Sequence, residues 1–122
     1  MKCGVLTYKP IGIVHSPFKD PNNVPIQAVA AKGTKGKVEV FDEYLTGLQG
    51  LEGFSHIVLL YDFHLVRACS LIVKPFLDDD SHGIFATRSP ARPNKIGLSV
   101  VRLVGLKGNC IDIEDVDIID GT

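Results

Sequence analysis

The chain has no apolar run near the ~20 residues that a membrane-spanning helix requires, and its opening residues, Met1-Lys2-Cys3-Gly4, lack the apolar stretch of a secretory signal. The expectation is a soluble, cytoplasmic protein with no membrane partner. Cysteine is scarce: Cys3, Cys69 and Cys110 form no CxxC pair and are odd in number, which suits free, inert thiols in a reducing compartment better than a disulfide framework. Neither GxGxxG nor GxxxxGKS/T is present, so a nucleoside cofactor would not be held by a dinucleotide fold. No GxSxG elbow marks a serine hydrolase. The four histidines, His15, His56, His64 and His82, lie in separate segments without HxH or HExxH spacing, and no metal is expected. Charged residues make up only 22% and apolar positions recur throughout, so the 122 residues read as one folded domain, residues 1–122.

Helix signals are few as well. Asp42 is placed to cap a short segment reaching Leu48, which Gly47 and Gly50 keep to a turn or two. Apolar and polar residues alternate with period two over residues 37–41, 110–114 and 116–118, the signature of strands with one wet face. The run Ser99 to Val104 joins the later strand through Lys107-Gly108-Asn109, which predicts a β-hairpin. Residues Ile57 to Tyr61 are apolar at nearly every position, as in a strand covered on both faces, and are expected at the centre of the sheet. Asp20 to Gly36, with two Pro, two Asn and two Gly, reads as a long loop of functional character. Short strands, turn residues and almost no helix predict an all-β, single-domain β-barrel with short helical turns.

Charge is unevenly distributed although its sum is only -1. No carboxylate lies between Asp80 and Asp112, a window that holds Arg88, Arg92, Lys95, Arg102 and Lys107. The next segment carries Asp112, Glu114, Asp115, Asp117 and Asp120 with no base. Such a partition can set a basic surface beside an acidic one and is compatible with phosphate contacts. Inside the basic window, Pro90 and Pro93 fix φ and remove two N–H donors, so Ser89 to Asn94 must be a rigid non-strand segment from which Arg88, Arg92 and Asn94 project. A guanidinium held this way can fork onto a carboxylate or phosphate, and an amide can read a base edge. His56 opens the apolar run at Ile57, and His64 follows its end, where a barrel mouth would meet a ligand.

The segments Pro10 to Phe18, Pro25-Ile26-Gln27, Leu51 to His56, Phe85 to Ser99 and Val116 to Thr122 resemble, in that order, the TsaA/TrmO family. The resemblance covers nearly the whole chain, and its centre, Ala86-Thr87-Arg88-Ser89-Pro90-Ala91-Arg92-Pro93-Asn94-Lys95-Ile96-Gly97-Leu98-Ser99, is highly specific. It implies a homodimeric β-barrel that uses S-adenosylmethionine to methylate N6 of threonylcarbamoyl-adenosine beside the anticodon of threonine tRNA. Carried over by position, the cofactor would be met by Gln27, Ala28, His64, Leu65, Arg88, Leu98, Glu114, Asp115, Val116 and Asp117, and the tRNA by Arg92 and Asn94. Many relatives have Arg where this chain has Ile26. The N6 lone pair is delocalised, so the acceptor must shed its proton before or as the methyl arrives; His56, His64, Asp117 and Asp120 are the candidates for base or relay, the sequence does not choose among them, and His56 and Asp120 are taken as the catalytic pair. The competing expectation is a noncatalytic regulatory barrel that binds a nucleoside or RNA through the same rigid arginine segment.

Overall fold

The computed structural model describes residues 4–19, 32–64, 70–73, 80–87, 90 and 92–122. Within these, five strands form one antiparallel sheet that curls into a half-barrel: β1 (Gly12–His15), β2 (Lys35–Val40), β3 (His56–Asp62), β6 (Ile96–Lys107) and β7 (Cys110–Glu114). Their order across the sheet is β1-β2-β7-β6-β3. A separate two-stranded ribbon pairs β4 (Ile72–Val73) with β5 (His82–Gly83). The helical content described is three 3-10 segments, Asp42–Leu48, Leu51–Gly53 and Ile84–Ala86. The mainly β architecture read from the sequence is therefore present.

Period-two alternation explains the sheet. Val14, Val38, Val40, Val101, Ile111 and Ile113 point to the inner face and are buried, joined there by Val116 and Ile118. Tyr44, Leu45, Leu48 and Leu51 of the first two 3-10 segments pack against the same cluster. The β6–β7 hairpin forms as expected, turning at Gly108, whose φ of 59° favours glycine. Along β6 the parity changes once. Leu103 pairs with Ile113, but Gly105 pairs with Asp112, so one residue is extra on β6. Such a bulge bends the strand and lets both Leu103 and Leu106 face the core, which curls the sheet.

Three local expectations are corrected. The apolar strand β3 lies at the sheet edge, not its centre, and it buries only one face. Ile57, Leu59 and Tyr61 pack inward, whereas Val58 and Leu60 remain 58% and 70% exposed. An unbroken apolar run arises equally when the second face is surface, so the run alone does not place a strand in the sheet. Residues 116–118 are not a strand: Asp115 has φ 64°, which ends β7, and Val116, Asp117 and Ile118 are all buried. Asp42 begins its 3-10 segment instead of capping it; Phe41 stands at the cap and makes no side-chain bond. Cys110 is a half-buried free thiol, and Cys3 and Cys69 lie outside the described residues.

The chain after β7 forms a strap. Asp120 and Gly121 donate their N–H groups to the carbonyls of Phe18 and Val14, at 2.7 and 2.8 Å, and Val14 donates to Thr122 at 2.6 Å. The Ser16 hydroxyl donates to the Ile118 carbonyl. At its start the strap is tied to the other side of β2, because Asp115 Oδ1 accepts the Gly33 N–H at 2.6 Å and Val116 donates to Thr34 at 3.3 Å.

Candidate functional site

The inner face of β6 carries one polar side chain in an otherwise apolar row: Gly97, Ser99, Val101 and Leu103 point inward, and Ser99 is buried. Its hydroxyl donates to Asp117 Oδ1 at 2.6 Å and lies 2.8 Å from the Tyr61 hydroxyl of β3. Asp117 comes from the strap and is itself only 8% exposed. Three elements distant in sequence thus meet through three polar groups. The Tyr61 ring lies close against Gly97, its paired residue; a Cβ at Gly97 would fall 2.6 Å from the ring carbon Cζ and 2.8 Å from Phe63 Cζ. Phe63 meets Tyr61 edge-on, with centroids 5.3 Å apart.

Beyond β3, His64 Nδ1 lies 3.0 Å from the Thr122 hydroxyl. Since Thr122 is bonded to Val14, the strap links the two edge strands of the half-barrel at this end. Lys95, which follows the proline-bearing segment, approaches from the same side, as Phe63 donates its N–H to the Lys95 carbonyl at 2.8 Å; Arg88, Ser89 and Ala91 of that segment lie outside the described residues. Within that turn Arg92 Nη1 donates to the Thr87 carbonyl at 2.8 Å, and the Thr87 hydroxyl donates to the Ile84 carbonyl at 2.9 Å. Arg92 therefore helps fold the turn that carries it. Asn94, at the exit, is exposed, and Arg88, Gln27, Ala28 and Leu65 lie outside the described residues.

Asp117 belongs to the strap and His64 bonds to the strap's Thr122; the other described candidates are placed elsewhere. Val116 is fully buried in the core, and Asp115 is engaged with Gly33. Leu98, between two inward residues, points to the outer face and is 54% exposed. Glu114 also points outward and pairs with Arg102 at 3.4 Å across the hairpin. At this pair the basic and acidic windows of the sequence meet across neighbouring strands.

His56 and Asp120 lie apart. His56 opens β3, six residues and roughly 20 Å of strand before Asp62, with its Nδ1 2.9 Å from the Ser55 hydroxyl. Asp120 sits beside β1, where Oδ2 accepts from Lys19 Nζ at 2.7 Å and Oδ1 accepts the Ser16 N–H at 3.0 Å. The hydrogen bond from the Lys19 ammonium, then that from Ser16, with the charges of Lys19 and His15 adding, holds the Asp120 carboxyl below its ordinary value. It is thus a firm anion and a weak proton acceptor. An open cleft of about 640 Å³ runs past Asp120 on the outer face, lined by His15, Lys19, Lys37, Asp112 and Glu114 among others. Among the described residues no cluster of His, Cys, Asp or Glu is arranged to hold a metal ion.

Residue-by-residue reading passed over Tyr61, Ser99, Gly97 and Thr122. A signal existed for one of them: a serine on the inward parity of a strand whose other inward positions are small or apolar asks for a buried partner.

The profile of the tRNA-methyltransferase O N-terminal domain matches residues 13–122. This chain belongs to the tRNA-methyltransferase O family. It is 58% identical over 118 residues, 97% of its length, to a "Probable S-adenosyl-L-methionine-binding protein" of Pyrococcus abyssi, of which it covers 64%. It is 39% identical to an "S-adenosyl-L-methionine-binding protein" of Archaeoglobus fulgidus, with 93% of this chain and 81% of the relative covered. The human "tRNA (adenine(37)-N6)-methyltransferase" is 33% identical across the whole chain, which spans 29% of that protein. In three dimensions, a crystal structure of TrmO from Pseudomonas aeruginosa superposes with a TM-score of 0.79 at 34% identity, covering 97% of this chain and 52% of that one. The chain thus spans about half the length of the TrmO structure. The strap, the β6–β7 hairpin and the end of β3 all fall inside the matched TrmO region.

Proposed function

We propose that this chain, as one domain of residues 1–122, binds S-adenosylmethionine and transfers its methyl to N6 of threonylcarbamoyl-adenosine beside the anticodon of threonine tRNA, in the cytoplasm. The observation that carries the reading is the buried Asp117 carboxylate, fixed by Ser99 where the end of β3, the family-specific turn and the strap converge. The relatives' names support it: several are S-adenosylmethionine-binding proteins, and the human relative is a tRNA (adenine-N6)-methyltransferase.

The side chains at this mouth suit the cofactor. S-adenosylmethionine presents hydroxyls, an ammonium and a sulfonium to acceptors, an adenine to apolar or aromatic surface, and one carboxylate to a donor. Asp117 supplies the acceptor, and Tyr61 with Phe63 supplies the aromatic surface, while Arg88 is the donor that the family resemblance places nearby. When bound, the cofactor supplies an electrophilic methyl group. The chain's part is then to position the acceptor nitrogen and exclude water. It must also take the N6 proton. His64 suits that task best: Thr122 engages Nδ1, which leaves Nε2 as the acceptor when Nδ1 carries the proton. Asp120 serves better as the strap's anchor, and His56 stands at the far end of β3. Arg92 and Asn94, on the rigid turn, face the tRNA.

The reading includes a homodimer. On the outer face, Val58 pairs with Val100 and Leu60 with Leu98, and with Ile96 they form an apolar strip in which every member is more than half exposed, across β6 and the strand β3 that ends the described sheet. Such a strip marks an interface between protein surfaces.

The test is incubation with methyl-labelled S-adenosylmethionine and tRNA, followed by mass analysis of the nucleosides. One added methyl on threonylcarbamoyl-adenosine is the expected product. Cofactor binding without methylated nucleoside would instead establish a noncatalytic nucleoside-binding barrel.

A further inference from the structure

We infer that Tyr61 and Ser99 form a positioning relay that sets the rotamer and hydrogen-bonding direction of Asp117, and through it the affinity of the site for S-adenosylmethionine. The inference rests on the proposed cofactor reading. The Ser99 hydroxyl donates to Asp117 Oδ1 at 2.6 Å, so its single proton is committed there. Ser99 must then receive the Tyr61 proton across the 2.8 Å contact, which orders the chain from Tyr61 to Ser99 to Asp117. Geometry holds each member. Tyr61 is pressed onto Gly97, where no side chain intervenes, and is braced by Phe63. Ser99 is fixed by the β3–β6 register, in which it pairs with Leu59. Asp117 belongs to the strap, which runs outside the strand ladders at this point, and the relay through Ser99 helps to aim its carboxylate. A serine and a tyrosine hydroxyl turned into an apolar half-barrel are costly unless satisfied, and they satisfy one another and Asp117. Neither group need touch the methyl acceptor, so they are positioning residues.

The experiment is calorimetric titration of S-adenosylmethionine into the wild-type chain, Tyr61→Phe, Ser99→Ala and the double variant, with thermal melts of all four. Ser99→Ala should raise Kd about ten- to a hundredfold, the loss of a hydrogen bond to a charged group. Tyr61→Phe keeps the ring over Gly97 and should raise Kd about three- to tenfold. The decisive readout is coupling: in the Ser99→Ala background, Tyr61→Phe should have no further effect on Kd. In turnover assays of Tyr61→Phe, the rise should fall on KM for the cofactor more than on kcat. A Tyr61→Phe effect that persists without Ser99, or that follows the melting temperature alone, overturns the relay while leaving the cofactor reading intact. A wild-type chain that fails to bind S-adenosylmethionine overturns both.

Discussion

At the scale of single residues, two positions show how much depends on one atom. Gly97 lies under the Tyr61 ring, and a methyl there would be driven into it. Gly97→Ala should therefore destabilise the fold by about 1–3 kcal/mol and move the Tyr61 hydroxyl off Ser99, read as a lower melting temperature together with weaker cofactor binding. A variant as stable and as tight as wild type would show that the ring has room to move. Asp120 concerns acid stability. Its carboxyl is held below the ordinary value in the folded chain, so its contribution is fully present above the unfolded carboxylate pKa and is lost as pH falls through the folded one. The difference in melting temperature between wild type and Asp120→Asn should be constant above about pH 5 and shrink below about pH 4. A difference that grows toward acid would show that Lys19 and Ser16 do not stabilise the anion. The other described ion pairs, His15 with Glu39 and Arg102 with Glu114, are exposed and add little.

At the scale of elements, the strap and β3 behave as opposites. The strap has no regular secondary structure, yet its residues bond in turn to Gly33, Thr34, Ser99, Ser16, Phe18, Val14 and His64, so it ties together strands that do not pair with one another. β3 is a regular strand with an apolar outer face that nothing in the described chain covers. Leu60→Glu, at the most exposed member of the strip, should leave the monomer's melting temperature nearly unchanged and convert a dimer to a monomer in sedimentation equilibrium. A Leu60→Glu chain that remains dimeric would place the interface elsewhere. The turn from Ile84 to Lys95 is a third case. Because the Arg92 guanidinium is bonded to the Thr87 carbonyl, Arg92→Ala should loosen the turn by about 1 kcal/mol as well as weaken tRNA binding.

At the scale of the whole molecule, a net charge of -1 cannot draw tRNA in by itself, so the proposed tRNA binding would rely on local basic groups. Affinity for tRNA should fall linearly on a logarithmic scale of salt, with a shallow slope of about 0.7–0.9 for each phosphate met, and Arg92→Ala should reduce that slope by at most about one unit. A slope that is unaltered would assign Arg92 to the turn alone.

Period-two alternation was enough to find β2 and β7, and short apolar runs were enough to find β3 and β6, because both signals are written into each strand separately; Gly108 marked the hairpin because a residue tolerant of positive φ suits that turn. The Phe85 to Ser99 segment and the strap were singled out as segments, and they contain Ser99 and Asp117. Their partnerships did not follow. The identical apolar run of β3 suits a central strand or an edge strand with a second interface, and only the pairing order decides between them. Alternation across 116–118 is broken by a single left-handed residue, Asp115, whose conformation is set by its bond to Gly33, far away in sequence. The meeting of Tyr61, Ser99 and Asp117 depends on register, on a bulge that curls β6 and on where the strap crosses, and these are properties of the assembled sheet. The chain's own letters determine which residues alternate, turn and carry charge; only the tertiary structure decides which of them meet, because a hydrogen bond between distant residues is specified by the packing of everything between them.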